Sequence, residues 1–219
     1  MQLTNIQDAG TPRWSPDGRY VAFDSPGAGS FDIYVISAQG GPVRRITSES
    51  SEEDMASWSH DGKWIYFEST RSGTSQVWKI PFAGSAAVQV TRNGGSEAFE
   101  SYDGQFVYYV KRGQQGIWRK STEGDGAETL VVDRGSPYHW GLFDKGVCLL
   151  DLYEAEPTIA CSDFGANRLK TISRLPKNMH IYDWGPSFSV SRDGQWILYA
   201  GADRPASDIM IVENFRLPR

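Results

Sequence analysis

The sequence predicts an all-β fold, a five-bladed β-propeller of four-stranded antiparallel blades, on three observations. First, one segment recurs. Trp14-Ser15-Pro16-Asp17-Gly18-Arg19-Tyr20-Val21-Ala22-Phe23 returns as Trp58-Ser59-His60-Asp61-Gly62-Lys63-Trp64-Ile65-Tyr66-Phe67, as Glu100-Ser101-Tyr102-Asp103-Gly104-Gln105-Phe106-Val107-Tyr108-Tyr109, and as Val190-Ser191-Arg192-Asp193-Gly194-Gln195-Trp196-Ile197-Leu198-Tyr199. A worn copy, Leu142-Phe143-Asp144-Lys145-Gly146-Val147-Cys148-Leu149-Leu150, fills the gap. Second, the spacing of the turn aspartates is nearly constant, at 44, 42, 41 and 49 residues from Asp17 to Asp193, and a period of this length marks a propeller, solenoid or array. Third, eight Trp, ten Tyr and ten Phe suit strands, while 23 Gly and 11 Pro suit many tight turns.

The first unit shows the pattern best. Pro12-Arg13-Trp14 is the innermost strand. Ser15-Pro16-Asp17-Gly18 is a turn, in which proline presets φ, aspartate accepts from nearby backbone amides and glycine takes positive φ. Residues 20–23 form the second strand, apolar without alternation, as suits a strand covered on both faces. A Gly/Pro/Ser loop leads to a third strand over 32–36. The turn Gln39-Gly40-Gly41-Pro42 follows, then a fourth strand over 43–47 whose Arg44 and Arg45 suit an outer edge. The second unit repeats this over 58, 64–67, 76–80 and 88–91, and the third over 106–110, 116–119 and 128–132. In the fourth, Lys145 replaces the turn glycine while the apolar pattern survives through Thr158–Cys161. The fifth has Trp196–Tyr199 and Asp208–Val212 but little sequence after Phe215.

Gln2-Leu3-Thr4 matches Arg45-Ile46-Thr47 and Gln89-Val90-Thr91. An N-terminal strand over about 2–5 is therefore expected to complete the last blade and leave no open edge. The whole chain, 1–219, is then a single domain with blades over about 11–47, 55–91, 97–132, 138–175 and 184–215.

Composition limits function. The net charge of −5 lacks the basic excess needed to displace counterions from phosphates, so direct nucleic-acid contact is not expected. No apolar run approaches the ~20 residues of a spanning helix, and the first ten residues are too polar for a signal peptide; any membrane or targeting segment is expected outside these residues. The two cysteines fall in the fourth unit, and pairing Leu150 with Ile159 places Cys148 opposite Cys161. Opposed Cβ atoms lie roughly 4.5 to 5.5 Å apart, near the limit for a disulfide. Buried thiols acting as small apolar groups are the simpler expectation; a disulfide is the other, and would favour an extracytoplasmic location.

The run Trp-Ser-Pro-Asp-Gly-Arg at Trp14–Arg19, then Asp32-Ile33-Tyr34, then Gly40-Gly41, then Arg44-Arg45-Ile46-Thr47, resembles the TolB-type, WD-repeat-like β-propeller repeat of bacteria. The likeness is strong in units one, two and five, moderate in three and weak in four. The ending from Ser191 to Phe215 is similar to propellers that follow a CadC-type winged-helix DNA-binding domain in acidobacterial regulators. The resemblance implies a propeller scaffold whose repeat residues say little about function.

In four-stranded blades the Asp-Gly and Gly-Gly turns share one side, and the less uniform loops share the other, where binding residues concentrate. Those loops bring together Glu53, Asp54, Glu97, Arg134, Tyr138, His139, Trp140, His180, Tyr182, Trp184 and Arg204. Tyr138, His139 and Trp140 beside His180, Tyr182 and Trp184 are the most suggestive group, since aromatic faces with polar tips suit sugars, peptides or a partner loop. Against this, Trp140 and Trp184 are expected to pack between neighbouring blades, as Trp14 and Trp58 are. Neither a metal nor a cofactor is expected: no His-x-His or His-Glu-x-x-His spacing occurs, and no Gly-x-Ser-x-Gly elbow or phosphate loop. The expected function is non-catalytic recognition of a protein or small ligand by a monomer. The alternative is a carbohydrate-active enzyme, a glycosidase or polysaccharide lyase, using carboxylates such as Glu53 with Glu97 and the histidines.

Overall fold

A computed structural model describes residues 2–27, 29–124, 126–153, 156–166, 168–177, 179–181, 185–203 and 206–213, with side chains up to 201. Tyr182, Trp184 and Arg204 of the expected site lie outside the described residues.

Every described element is a strand. The first sheet runs β1 (Gly10–Trp14), β2 (Tyr20–Ser25), β3 (Asp32–Ser37) and β4 (Arg44–Arg45) in that order, and the second β5 (Glu53–Trp58), β6 (Trp64–Ser69), β7 (Gln76–Pro81) and β8 (Val88–Gln89). The third holds β9 (Ser96–Glu100), β10 (Phe106–Lys111), β11 (Gln114–Ser121) and β12 (Thr129–Val132). The fourth holds β13 (Trp140–Phe143), β14 (Gly146–Asp151), β15 (Thr158–Asp163) and β16 (Lys170–Arg174). The fifth is built from β17 (His180–Ile181), β18 (Phe188–Val190), β19 (Trp196–Asp203) and β20 (Ala206–Glu213). The fold class is thus the one the repeat predicts: an all-β, five-bladed propeller of four-stranded antiparallel sheets. The strands group into two compact units, Met1–Arg112 with Lys120–Gly126, and Gly113–Arg119 with Ala127–Arg219.

The repeat residues have a visible reason. Ser15 Oγ donates to Asp17 Oδ1 at 2.6 Å and accepts from the Tyr20 amide at 2.9 Å, while the Arg19 amide donates to Asp17 Oδ1 at 3.0 Å. The same Ser–Asp clasp recurs at Ser59–Asp61, Ser101–Asp103 and Ser191–Asp193. It needs the following glycine in the left-handed region, where Gly18, Gly62, Gly104 and Gly194 all lie near φ +70°. Hydrogen bonding holds the carboxyls of Asp17, Asp103 and Asp193 below the usual range, led in each by the serine hydroxyl. In the worn copy Leu142 replaces the serine, the hairpin tightens to Phe143↔Gly146, and Asp144 instead meets Arg192 at 2.9 Å.

A second clasp ties the other end. The hydroxyl of Thr47 accepts from the Ile33 amide and donates to Asp32 Oδ1, and that of Thr91 accepts from the Val77 amide and donates to Gln76 Oε1. Outermost strands of only two residues are thereby fixed to their neighbours.

The core is the continuous apolar middle of the second and third strands. Opposed pairs repeat there in Val21↔Ile36 and Ile65↔Ile80, and the backbone of Ile197 opposes that of Val212 at the same repeat position. In the fourth blade the corresponding pair is Cys148↔Cys161, and it is a disulfide with Cα atoms 4.1 Å apart. The register agrees with the sequence expectation, but the simpler expectation of two buried free thiols is overturned. The close Cα approach of this opposed pair brings the sulfur atoms into bonding reach.

Two further expectations need correction. Four strands make up the fifth sheet, but residues 2–5 do not supply one. Residues 2–6 carry no strand, and the inner position is shared by two short pieces, β17 and β18, both paired with β19. The Gln2 side chain bonds Thr4 O and Asn5 Oδ1, and the Thr4 hydroxyl accepts from the Ile6 amide. Such local bonds compete with ladder formation, and Leu3 and Ile6 pack on the first blade against Val21, Phe23 and Ile36. The second correction concerns Trp14, which is 61% exposed, whereas Trp58 is buried and donates its indole N–H to Arg13 O at 3.0 Å. Repeat position alone does not decide burial; an adjoining blade surface does.

Candidate functional site

At the loop end of the first unit the innermost strands open with a bulge. Its register shifts lie between Gly10 and Arg13 and between Asp54 and Ser57. Thr11, Met55 and Glu97 occupy one repeat position, six residues before the turn aspartate, and all three have positive φ, at 39°, 55° and 36°. A β-branched threonine in that region is held by its surroundings. Here Asp24 does the holding: it accepts from the Thr11 hydroxyl and, at 3.1 Å, from the Met55 amide. Asp24 is 3% exposed, and burial pushes its carboxyl above the usual range against those two hydrogen bonds.

The carboxylates beyond it are paired with arginines. Glu68 receives a two-pronged contact from Arg112, at 2.6 Å from Nε and 3.1 Å from Nη2, and a third bond from Ser96 Oγ at 2.5 Å. Arg112 also stands 3.5 Å from Asp54. Burial, and next the charge of Glu68, push the Asp54 carboxyl up to about 7, with Arg112 acting the other way. Glu97 pairs with Arg13 at 3.4 Å, and the Arg13 guanidinium lies 5.3 Å from the Phe99 ring. Glu53 is wholly buried; one of its oxygens accepts from Ser51, Ser69 and Arg71. Its second oxygen, with Trp78 Nε1, is one of two buried side-chain polar atoms without a hydrogen-bond partner among the described residues.

In the second unit Arg134 meets Asp151 at 2.5 Å, and Asp151 is 3% exposed. Tyr138 has φ 75° at the same repeat position as Met55, and its carbonyl accepts from the Ser187 amide. His139 is 4% exposed with Nδ1 2.8 Å from Ser187 Oγ, and Trp140 is 1% exposed within β13. His180 lies exposed in β17, opposite Ala202. The structure therefore pairs Glu53, Asp54 and Glu97 each with a different arginine, Arg71, Arg112 and Arg13, and places His139 and Trp140 in the interior.

Sequence reasoning passed over Asp24, Glu68 and Arg13. A signal was present: Asp24, Glu68 and Asp151 each follow a turn aspartate by seven residues, so a buried acid at the end of the second strand is a repeat feature in three blades. Among the described residues no group of three or more His, Cys, Asp or Glu is arranged to hold a metal ion.

Five antiparallel four-stranded sheets with this turn clasp define a β-propeller of the bacterial repeat type. The family described as the TolB beta propeller domain (PD40) matches residues 3–136, and the chain belongs to that family. The chain superposes on TolB from Acinetobacter baumannii with a TM-score of 0.79 at 22% identity, over 94% of this chain and 53% of that one. It superposes on a putative TolB from Agrobacterium tumefaciens with a TM-score of 0.66 at 18% identity, over 80% of this chain and 69% of that one. A Tol-Pal system protein TolB from Syntrophus aciditrophicus (strain SB) is 53% identical over 38 residues, which are 17% of this chain and 8% of that protein. The chain thus spans about half of the Acinetobacter protein and is matched by a small part of the Syntrophus one. At these identities the solved structures establish shared fold.

Proposed function

We propose that the chain is a non-catalytic binding module that recognises a protein partner at the loop end of its blades. One observation carries this reading: the charged groups there are already bonded to one another, with Arg112 held between Glu68 and Asp54. A recognition surface needs such groups fixed before the partner arrives, because preorganisation lowers the ordering cost of association. A catalytic pair needs a reactive group open to substrate. Glu53, at 0% exposure and covered by Arg71, Ser51 and Ser69, is closed to a glycosidic oxygen, and Glu97 is 3% exposed beside Arg13. This weighs against the glycosidase or lyase alternative.

The setting we propose is extracytoplasmic, supported by the Cys148–Cys161 disulfide. The further proposal, that the propeller is the sensory part of a larger transcriptional regulator, is supported by the resemblance of its repeats alone.

The test is binding of the whole chain to an array of peptides, alongside Asp54→Asn and Arg112→Gln variants whose unfolding midpoints are measured in parallel. Selective peptides should lose at least tenfold in affinity with the folded variants. Turnover of glycosides or polyuronates that vanishes in Glu97→Gln would overturn the reading.

A further inference from the structure

Within the second unit, the outer strand of the third blade and the outer half of the fourth enclose a groove of about 660 Å³, a size suited to a small ligand or a few peptide residues. Leu130, Val131 and Val132 all line it and are consecutive in β12. The register steps from Ile117↔Val132 to Trp118↔Leu130, so Val131 is a bulge that interrupts the usual alternation of faces along this strand. One edge of β12 is taken by β11, through Ile117↔Val132 and Trp118↔Leu130, and β12 ends its sheet. Its other edge pairs with no strand among the described residues, and the groove runs along β12. Thr158 and Ala160, two residues apart in β15, also line it; they share one face, so the facing wall is the sheet surface of the fourth blade.

The charges on this groove are uneven. Arg134 is neutralised by Asp151. Arg168 and Arg174 also line the groove, and both are exposed. Arg174 is 4.0 Å from Glu156, which Lys177 holds more closely at 3.0 Å. Asp133 is the remaining carboxylate of the lining. Two guanidinium forks thus face one acid, on a chain whose net charge is −5. Cations on an outer strand also guard it against edge pairing, which accounts for Arg174 in β16 but not for a groove with an open strand edge on its other wall.

We infer that this groove binds an extended acidic peptide of a protein partner. Its backbone adds to the open edge of β12, its carboxylates meet the guanidinium groups of Arg168 and Arg174, and its small aliphatic side chains rest on Leu130 and Ala160. Peptide is favoured over sugar because no aromatic ring lines the groove among the described residues, and over nucleic acid because stacking platforms are lacking there and the net charge of −5 repels a phosphate backbone. The inference rests on the binding-module reading and names the chemistry of a partner.

The experiment titrates fluorescein-labelled hexaglutamate into the whole chain by anisotropy, at low and at physiological salt. Saturable binding is expected, weakened at least tenfold by Arg168→Ala with Arg174→Ala and progressively weakened by salt. Arg19→Ala with Lys63→Ala, a charge-matched pair on the first two blades, should change it less than twofold. Absence of saturable binding overturns the inference, as does equal loss in the two double variants or tighter binding of polygalacturonate or oligothymidylate. Asp54→Asn and Arg112→Gln leave hexaglutamate binding intact. Failure at the groove and failure of the loop-end reading therefore show in different variants.

Discussion

The second blade ends its inner strands in carboxylates and arginines, and the fourth fills corresponding repeat positions with large or apolar groups. Ser57 becomes Trp140, Ser59 becomes Leu142, Gly62 becomes Lys145, and the Ile65↔Ile80 pair becomes the Cys148–Cys161 disulfide. Both still form four antiparallel strands, and both keep a positive φ at one repeat position, in Met55 and Tyr138. The repeat thus performs two separable tasks. Its apolar middle makes a blade, while its clasps and charges fix the turn and the loop end. The fourth blade has lost the turn clasp, keeps a buried acid in Asp151 paired with Arg134, and adds a covalent link.

The comparison breaks most severely at Trp140. At 1% exposure its replacement by alanine empties a large site in the fourth blade, and a loss of about 3 to 5 kcal/mol is expected, measured by chemical denaturation. If the residue instead served a ligand, stability would change little. Next comes the disulfide. Reduction, or replacement of both cysteines by serine, should cost about 3 kcal/mol for a 13-residue separation. Cys148→Ile with Cys161→Val, which restores the pair seen in other blades, should recover much of that loss; thermal unfolding with and without reductant checks both.

A smaller effect separates the two turns. Gly62→Val forces a β-branched residue to φ 70° and should cost about 1 to 2 kcal/mol, whereas Lys145→Gly in the worn turn should bring no gain, since Lys145 has no positive φ to relieve. The unfolding midpoints of the two variants decide this.

A further effect is on pH dependence. The Asp54 carboxyl is pushed up to about 7 from 3.8, so between these values the folded chain binds more protons than the unfolded one, and stability falls as pH rises from about 4 to 7. Asp54→Asn should flatten that slope and leave the fourth blade unaffected. An unchanged slope would place Asp54 among ordinary surface acids.

Much of the fold was legible because each repeated residue makes a short-range bond. Ser15, Asp17 and Gly18 close their own turn within five residues, so the pattern survives in the chain as a readable string. The site was less legible because its bonds are long-range. Glu53, Asp54 and Glu97 were found by their place in variable loops, but their partners Arg71, Arg112 and Arg13 lie between 18 and 84 residues away. Nothing local marked Arg112 as shared by two acids. Trp140 is buried, in line with the expectation that it packs, whereas His139, placed on the rim by its loop, turns inward against Ser187.

The sequence by itself determined the blade count, the second and third strands of most blades, the turn chemistry and the opposition of Cys148 to Cys161, because these follow from periodicity and nearest-neighbour bonding. The tertiary structure alone decided that residues 2–6 lie against the first blade without forming a strand, that Trp58 is covered while Trp14 is not, and which carboxylate meets which arginine. Burial and ion pairing depend on what other segments bring to the same place, and the period of a repeat carries no record of that.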